Sequence, residues 1–286
     1  MITIFDKEGD VRQAVIDSRQ SGHTVGLVPT MGGLHDGHLS LVRAACQAHE
    51  FVIVSIYVNP TQFSESEDWD RYPRQLDIDK KLLESCGDNI ALFVPDTLYR
   101  PHHATMIAPQ GVALPFEGVH RPHFFTGVAT VVFRLFQAVP ADIAYFGEKD
   151  FQQLAVIKQM VNDFDLPITI SSVPTMRADD GLALSSRNHY LDLSARYQAA
   201  MIYKAMTSCA EQIRDGHDIT TSCEAAQNML QEAGFSQIDY FSWCDPDTFE
   251  IVSQIQGDSR LLVAAWLDGT RLIDNECYEK LCGAQK

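Results

Sequence analysis

The chain has 286 residues, of which 45% are hydrophobic and 21% charged, so it can bury a full core without metal or disulfide staples. Its net charge of −16 argues against nucleic acid or an anionic membrane surface as the main partner. A local group of cations can still bind a small anion. Seven cysteines at irregular spacing, without a CxxC pair or a zinc-type pattern, predict reduced thiols in a cytoplasmic protein. Neither a signal peptide nor a membrane-spanning run is expected.

Residues 1–174 alternate between strand-like and helix-like patterns, which predicts a Rossmann-like, doubly wound parallel α/β sheet. Strands are predicted at 23–28, 51–58, 90–94, 142–146 and 168–173, the first of them stopped by Pro29. Helices are predicted at 39–48, 75–86, 127–139 and 150–161, the last with Asp150 as its N-cap. Ligands of such sheets bind at the carboxyl ends of the strands.

Residues 175–286 show a different pattern, which predicts a smaller α+β domain. A loop leads to a long helix from about Ser194, its expected N-cap, to Arg214. A second helix at about 221–233 and strands at 237–243 and 260–267 follow.

The stretch LVPTMGGLHDGHLSL places two histidines, His35 and His38, in a glycine-rich turn between two apolar runs. Glycines allow close backbone approach, and the N-terminus of the helix expected near His38 favours an anion. Two imidazoles three residues apart can donate hydrogen bonds to the same phosphate. The alternative is a turn with two surface histidines, which suits a lone histidine better than HxGH after a buried strand.

Two further segments follow predicted strands. IYVNPTQF ends in Gln62, whose amide can hold a carboxylate or a hydroxyl without net charge. FGEKDFQQ opens a helix with Lys149, which could neutralise a phosphate or an oxyanion, and with Gln153 one turn later. For Gln62 the alternative is a polar side chain on a turn without a function. For Lys149 and Gln153 the alternative is a solvated helix start.

The segment MRADDGLALSSRN at the domain boundary carries two serine hydroxyls and Arg187, which together could clamp a phosphate. A plain interdomain linker is the alternative, although linkers rarely carry an apolar LAL between such groups. Asp77 and Asp79 stay ambiguous, since an acidic pair there could reach a metal held mainly by phosphates.

Taken together, these segments resemble the pantoate–β-alanine ligase family. PTMGGLHDGH is similar to the HIGH-type ATP motif of that family, which class I aminoacyl-tRNA synthetases and related nucleotidyltransferases share. VNPTQF, GEKDFQQL, RADDGLALSSRN and, near the C-terminus, VAAWLDGTRLIDN resemble further family blocks in the same order.

The resemblance implies an enzyme that condenses pantoate with β-alanine, using Mg²⁺ and ATP, through a pantoyl adenylate, with release of pyrophosphate and AMP. It implies that residues 1–174 bind ATP and pantoate, that residues 175–286 form a smaller lid, and that the protein is a homodimer. The implied catalytic residues are His35, His38, Lys149 and Arg187, and the implied substrate-binding glutamines are Gln62 and Gln153. The implied ATP contacts are Met31, Gly32, Gly33, Leu34, His35, Asp36, Gly37, His38, Gly147, Glu148, Lys149, Asp150, Met176, Leu184, Ser185, Ser186 and Arg187. No residue is assigned as a metal ligand.

One position departs from the family pattern, which is RPGHFxGV before a long helix. Residues 121–128 are RPHFFTGV, so Phe124 stands in the usual place of histidine and His123 lies one residue early. A histidine at this position could orient groups of the cleft, so its loss predicts either weaker pantoate binding or compensation by His120 or His123. Neither of these two residues is given a role.

Three other functions compete with the ligase interpretation. An adenylate-forming enzyme that stops at the nucleotide-linked intermediate would not release AMP in response to β-alanine. A silent nucleotide-binding or regulatory protein should have lost its charged phosphate ligands, whereas this chain keeps Lys149 and Arg187. A nucleic-acid-binding HIGH enzyme conflicts with the net charge and with the lack of an RNA-binding appendage.

Overall fold

The computed structural model describes residues 2–63 and 69–283. The chain divides into two compact units, Met1–Pro174 and Thr175–Lys286. Within the described ranges, no helix has both the length and the hydrophobicity to cross a membrane.

The first unit is a parallel sheet covered by helices. Its strands are β1 (Thr3–Phe5), β2 (Val25–Thr30), β3 (Phe51–Ile56), β4 (Ile90–Phe93), β5 (Ile143–Gly147) and β6 (Thr169–Val173). Its α-helices are α1 (Glu8–Gln20), α2 (Asp36–Ala48), α3 (Leu76–Leu83), α4 (Glu117–His120), α5 (Phe124–Ala138) and α6 (Phe151–Asp163). In the part of the chain that the structure describes, six parallel strands pair in the order β1-β4-β3-β2-β5-β6. The strand order therefore reverses between β2 and β5, which is where a doubly wound sheet opens a crevice.

Alternation along the central strands sends side chains to two cores. Leu27 of β2 packs with α1, α5 and α6 on one face, and its neighbour Val28 packs with α2 and α3 on the other. Both side chains are fully buried. Because parallel strands are covered on both faces, they appear in the sequence as continuous apolar runs, as the run 51–58 does. The prediction of a doubly wound parallel sheet is confirmed.

The prediction that Pro29 stops the first strand is wrong. Strand β2 continues to Thr30, and Pro29 is in register with Ser55 of β3. On its other side β2 pairs with β5 only at Gly26 and Leu27, so the missing N–H of Pro29 lies beyond that pairing. The hydroxyl of Thr30 donates to the carbonyl of Ser55 at 2.7 Å and closes the strand end.

The second unit packs helices against an antiparallel sheet. Its helices are α7 (Leu193–Ala199), α8 (Met201–Arg214), α9 (Ile219–Glu232) and α10 (Tyr278–Leu281). Its strands are β7 (Gln237–Cys244), β8 (Arg260–Leu267) and β9 (Thr270–Cys277), which pair in that order. The predicted α+β character of this unit is confirmed.

Two details of the second unit differ from the predictions. The long helix is interrupted at Ala200, and its N-cap is Asp192, which accepts the Ala195 N–H at 2.8 Å, instead of Ser194. Strand β9 was not predicted, although Asp268-Gly269 before it is a strong hairpin signal. Both residues of that turn have positive φ, as a tight two-residue connection between twisted strands requires.

Candidate active site

The crevice between β2 and β5 brings together two of the segments that the sequence marks as functional. The glycine-rich turn leaves the carboxyl end of β2 and runs into α2. The GEKD segment leaves the carboxyl end of β5 and runs through a 3₁₀ turn, Glu148–Asp150, into α6. Because β2 and β5 are neighbours in the sheet, both turns open at the same edge.

A buried carboxylate holds the glycine-rich turn in place. The side chain of Asp79, on α3, is 1% exposed and accepts the N–H of Gly33 at 3.0 Å and of Leu34 at 2.9 Å. Gly32 and Gly33 have φ of 80° and 62°, values that favour glycine. A Cβ on Gly32 would also lie 3.1 Å from an oxygen of Asp79. The acidic pair of the sequence therefore separates into a turn anchor, Asp79, and an exposed Asp77.

His35 is the N-cap of α2. Its Nδ1 accepts the N–H of Gly37 at 3.1 Å, which satisfies one of the free donors at the start of the helix. A ring nitrogen that accepts carries no proton, so the ring N–H of His35 is on Nε2. Helix α2 begins at Asp36, two residues before the predicted start near His38.

His38 lies in the first turn of α2, with its ring centroid 4.1 Å from that of His35. The residue is half-buried, but its Nδ1 is fully buried and has no hydrogen-bond partner among residues 2–63 and 69–283. Burial and then the charge of Lys149 lower the pKa of His38 to about 4. At neutral pH the crevice therefore presents a neutral imidazole with an unused ring nitrogen.

Lys149 provides positive charge at the same edge of the sheet. Its Nζ lies 3.8 Å from Oδ1 of Asp150, and its field reaches His38 strongly enough to lower that residue's pKa. The prediction that Asp150 caps the helix holds for its position only, because its side chain makes no capping hydrogen bond. Glu148 is oriented by the hydroxyl of Ser172, which donates to its Oε1 at 3.3 Å.

The two glutamines of the sequence analysis also belong to the first unit. Gln62 ends a 3₁₀ turn, Pro60–Gln62, after β3, and its side chain is buried. Gln153 lies half-buried in the first turn of α6. Its neighbour Gln152 is fixed by the carbonyls of Val112 and Pro115 and by the N–H of Glu117, which identifies it as structural.

A cavity of about 380 Å³ opens beside Met31 and Gly32 at the carboxyl ends of β3 and β4. Its lining includes Tyr57, Trp69 and Asp79. The volume lies in the range of small-molecule pockets. The glycine-rich turn therefore borders a space that can hold a ligand.

The remaining predicted contacts lie in the second unit. The N–H of Leu184 donates to the carbonyl of Met176 at 2.9 Å, and these residues frame a short hairpin with an Arg177–Ala183 bridge. The hydroxyl of Ser185 caps the 3₁₀ turn Ser186–Tyr190 by accepting the N–H of Arg187 at 3.2 Å.

Arg177 explains why this segment is ordered structure and not a plain linker. Its guanidinium forms two hydrogen bonds to Asp274, at 2.6 and 3.0 Å, and stacks 4.1 Å above the ring of Tyr203. The segment 176–190 is therefore anchored within the second unit.

The sequence analysis gave no turn-holding role to three polar residues of the first unit. Asn59, Asp79 and Arg121 are buried or half-buried polar side chains that hold turns of the site through contacts distant in the chain. Asn59 had a local signal, because Asn before Pro at a strand end often caps a turn. Asp79 and Arg121 had none.

In the part of the chain that the structure describes, no group of three or more histidine, cysteine, aspartate or glutamate residues could hold a metal ion. All seven cysteines are free thiols.

A doubly wound sheet with a glycine-rich, two-histidine turn at its switch point defines an α/β nucleotide-binding protein. The family model described as pantoate-β-alanine ligase matches residues 3–277. The chain belongs to the pantoate–β-alanine ligase family, and it is an enzyme that ligates pantoate and β-alanine with ATP.

Relatives support this assignment over nearly the whole chain. The pantothenate synthetase of Rhizorhabdus wittichii is 50% identical over 272 residues, which cover 94% of this chain and 96% of the relative. That of Paracoccus denitrificans is 47% identical, with 93% and 94% covered.

Solved structures agree in fold. The Thermus thermophilus pantothenate synthetase has a TM-score of 0.91 at 39% identity and covers 97% of this chain and 99% of its own. The Francisella tularensis pantoate-β-alanine ligase, in complex with β-γ ATP and β-alanine, has a TM-score of 0.81 at 34% identity, with 98% of each chain covered.

Proposed function

We propose that the crevice between β2 and β5 binds the triphosphate of ATP and that ligation proceeds through a pantoyl adenylate. The observation that carries this proposal is His38, a neutral imidazole with an unpartnered Nδ1, held beside Lys149 at the switch point of the sheet. A free nitrogen next to a cation and a helix N-terminus suits an anionic ligand.

In the first half-reaction a carboxylate oxygen of pantoate attacks the α-phosphorus of ATP. The new P–O bond forms as the bond to the bridging oxygen breaks, and pyrophosphate leaves. No covalent nucleophile of the protein is needed, so the protein contributes positioning and charge stabilisation. His35 and His38 donate hydrogen bonds to phosphate oxygens, and Lys149 stabilises the charge that develops on them.

The pKa of His38 bears on its role. With a pKa of about 4, His38 is neutral at neutral pH before ATP binds, so it meets the phosphates as a neutral hydrogen-bond donor. His35 donates through Nε2, because its Nδ1 accepts the N–H of Gly37. A neutral donor can keep its hydrogen bond to the phosphate throughout the reaction, because it does not give up its proton.

Pantoate is bound by Gln62 and Gln153, whose neutral amides hold a carboxylate and hydroxyl groups without competing charge. In the second half-reaction the amine of β-alanine attacks the acyl carbon of the adenylate. The amine loses a proton, the C–O bond to the phosphate breaks, and AMP leaves. The complex of the Francisella tularensis relative with β-γ ATP and β-alanine supports both substrates.

Phosphate oxygens are bound by Ser185, Ser186 and Arg187, and the backbone near Gly147 and Met176 contacts the adenosine. The other members of the ATP site are Met31, Gly32, Gly33, Leu34, Asp36, Gly37, Glu148, Asp150 and Leu184. Mg²⁺ enters as part of the substrate Mg·ATP, since hard cations prefer phosphate and water oxygens. The enzyme is a cytoplasmic homodimer.

The test is AMP release from ATP, Mg²⁺ and pantoate, with and without β-alanine. We expect AMP only when every component is present. If pyrophosphate is released but AMP release does not depend on β-alanine, the adenylation step stands. That result would contradict β-alanine as the acceptor of the pantoyl group. No turnover would contradict the proposed site as a whole.

A further inference from the structure

The residue that departs from the family pattern makes a specific contact. Phe124 is the first residue of α5, and the guanidinium carbon of Arg121 lies 3.8 Å from the centroid of its ring. That distance is well within the range of a cation–π interaction. The side chain of Arg121 is only 14% exposed, so little water competes for its charge.

The same guanidinium reaches the turn that carries Gln62. One terminal nitrogen of Arg121 donates to the backbone carbonyl of Gln62 at 3.2 Å, and the other lies 3.4 Å from Oε2 of Glu117. The Phe124 ring, the Glu117 carboxylate and the Gln62 carbonyl therefore hold the arginine from three directions. Through Arg121, the start of α5 is connected to the turn after β3.

The turn itself is pressed against α5. A Cβ on Gly127 would lie 2.3 Å from the carbonyl oxygen of Thr61, so only glycine permits this approach. The side-chain amide of Asn59, which is 0% exposed, donates to the Gly127 carbonyl at 3.2 Å and closes the contact from the other side.

The hydrogen bonds also determine which end of the Gln62 amide is free. Nδ2 of Asn59 donates to the Gly127 carbonyl, which can only accept, and Oδ1 accepts the Thr61 N–H, which can only donate. Asn59 must therefore present Nδ2 to Gln62, and it donates to Oε1 of Gln62 at 3.1 Å. The oxygen of Gln62 is thereby occupied, and its NH₂ group is the end left to donate to a ligand.

We propose that Phe124 and Arg121 are positioning residues that hold Gln62 as a hydrogen-bond donor to an oxygen of pantoate. This inference rests on the proposed pantoate-binding role of Gln62. The stacked guanidinium fixes the backbone of Gln62, and Asn59 fixes the direction of its amide. Phenylalanine suits this place because its face stays uncharged at every pH, whereas a protonated histidine would repel the arginine.

The experiment is steady-state kinetics of the full chain, with pantoate varied at saturating ATP and β-alanine. Phe124→Leu removes the aromatic face at similar volume, and we expect it to raise the KM for pantoate roughly 3- to 10-fold. The KM for ATP should change by less than about twofold, because the substitution does not alter the glycine-rich turn. Phe124→Tyr keeps the face and should retain the original KM for pantoate.

Matched variants separate positioning from general damage. Phe133→Leu makes the same substitution elsewhere on α5, where the ring packs against Phe164, and should leave the KM for pantoate unchanged. Arg121→Gln breaks the stack from the other partner and serves if Phe124→Leu fails to fold. In the double variant, Phe124→Leu should add nothing to Gln62→Ala, because its effect passes through Gln62.

Two results would overturn the inference while the proposed function stands. One is an unchanged KM for pantoate in Phe124→Leu when Gln62→Ala raises it. The other is additivity in the double variant, which would mean that Phe124 acts independently of Gln62. An unchanged KM for pantoate in Gln62→Ala would instead overturn the assignment of Gln62 itself, and the inference with it.

Discussion

Helix α2 has two histidines in different chemical surroundings. His38 lies in its first turn, and His49 follows its last residue. His49 is the C-cap of α2, and both ring nitrogens are satisfied, by the hydroxyl of Thr24 at 2.9 Å and that of Tyr145 at 3.0 Å. His38, in the first turn of the same helix, has a buried Nδ1 with no partner in the described part of the chain. Burial lowers the pKa of both residues.

The difference distinguishes a structural histidine, His49, from the one that we propose binds ATP, His38. A buried polar atom without a partner costs free energy, so a fold retains it where a ligand supplies the missing hydrogen bond. At His49 the protein itself supplies both partners, and Gly26 makes room, since a Cβ there would lie 2.8 Å from the imidazole. A lowered pKa alone would not have told the two residues apart.

Replacement of His38 should produce the largest effect. His38→Ala removes the proposed hydrogen-bond donor to the α-phosphate of ATP, so we expect turnover to fall by roughly 10²-fold or more while the fold is retained. Steady-state kcat together with the circular dichroism spectrum measures both quantities. Near wild-type turnover would remove His38 from the reaction.

The second-largest effect is on the pH dependence of the unfolding free energy. Unfolding raises the pKa of His38 from about 4 to 6.5, so between these values the unfolded state binds a proton that the folded state does not. Stability should therefore fall as pH drops from 6.5 to 4, by up to roughly 3 kcal/mol from this residue. Urea unfolding at a series of pH values should show a shallower decline in His38→Gln. If the unfolding free energies of the wild type and His38→Gln change with pH in parallel, the burial of a neutral His38 is contradicted.

Replacement of His49 should give the opposite pattern to replacement of His38. His49→Phe leaves the hydroxyls of Thr24 and Tyr145 without their partner, which should cost about 1–3 kcal/mol of unfolding free energy. The kcat of the folded protein should stay within about twofold, because this histidine does not reach the crevice. Loss of turnover with an unchanged unfolding free energy would contradict a purely structural role for His49.

The smallest effect tests the contribution of Lys149 to the field at His38. Lys149→Met removes a cation that lowers the His38 pKa, so that pKa should rise while staying below 6.5, since burial remains the larger cause. Histidine ring NMR across pH 3–8 reports the value, with His38→Ala assigning the resonance. A pKa that does not move would place Lys149 too far from His38 for a shared phosphate.

The sequence alone carried the class of fold and the location of the glycine-rich turn with its two histidines. Continuous apolar runs such as 51–58 predict buried parallel strands because burial on both faces leaves no polar alternation. HxGH between a strand and a helix is likewise a local pattern, and the family resemblance extended it to pantoate and β-alanine. Helix limits depended on side-chain choices that periodicity does not resolve, as with Asp192 and Ser194.

Only the tertiary structure decided which of these segments meet and what holds them. It placed β2 beside β5, which lie far apart in the chain, and so brought His38 to Lys149. It paired Asp79 with N–H groups 46 and 45 residues away, and Arg121 with a carbonyl 59 residues away. Such contacts leave no local period in the sequence, because they depend on how distant elements pack. They nevertheless bring the charge of Lys149 to His38 and hold the backbone of Gln62.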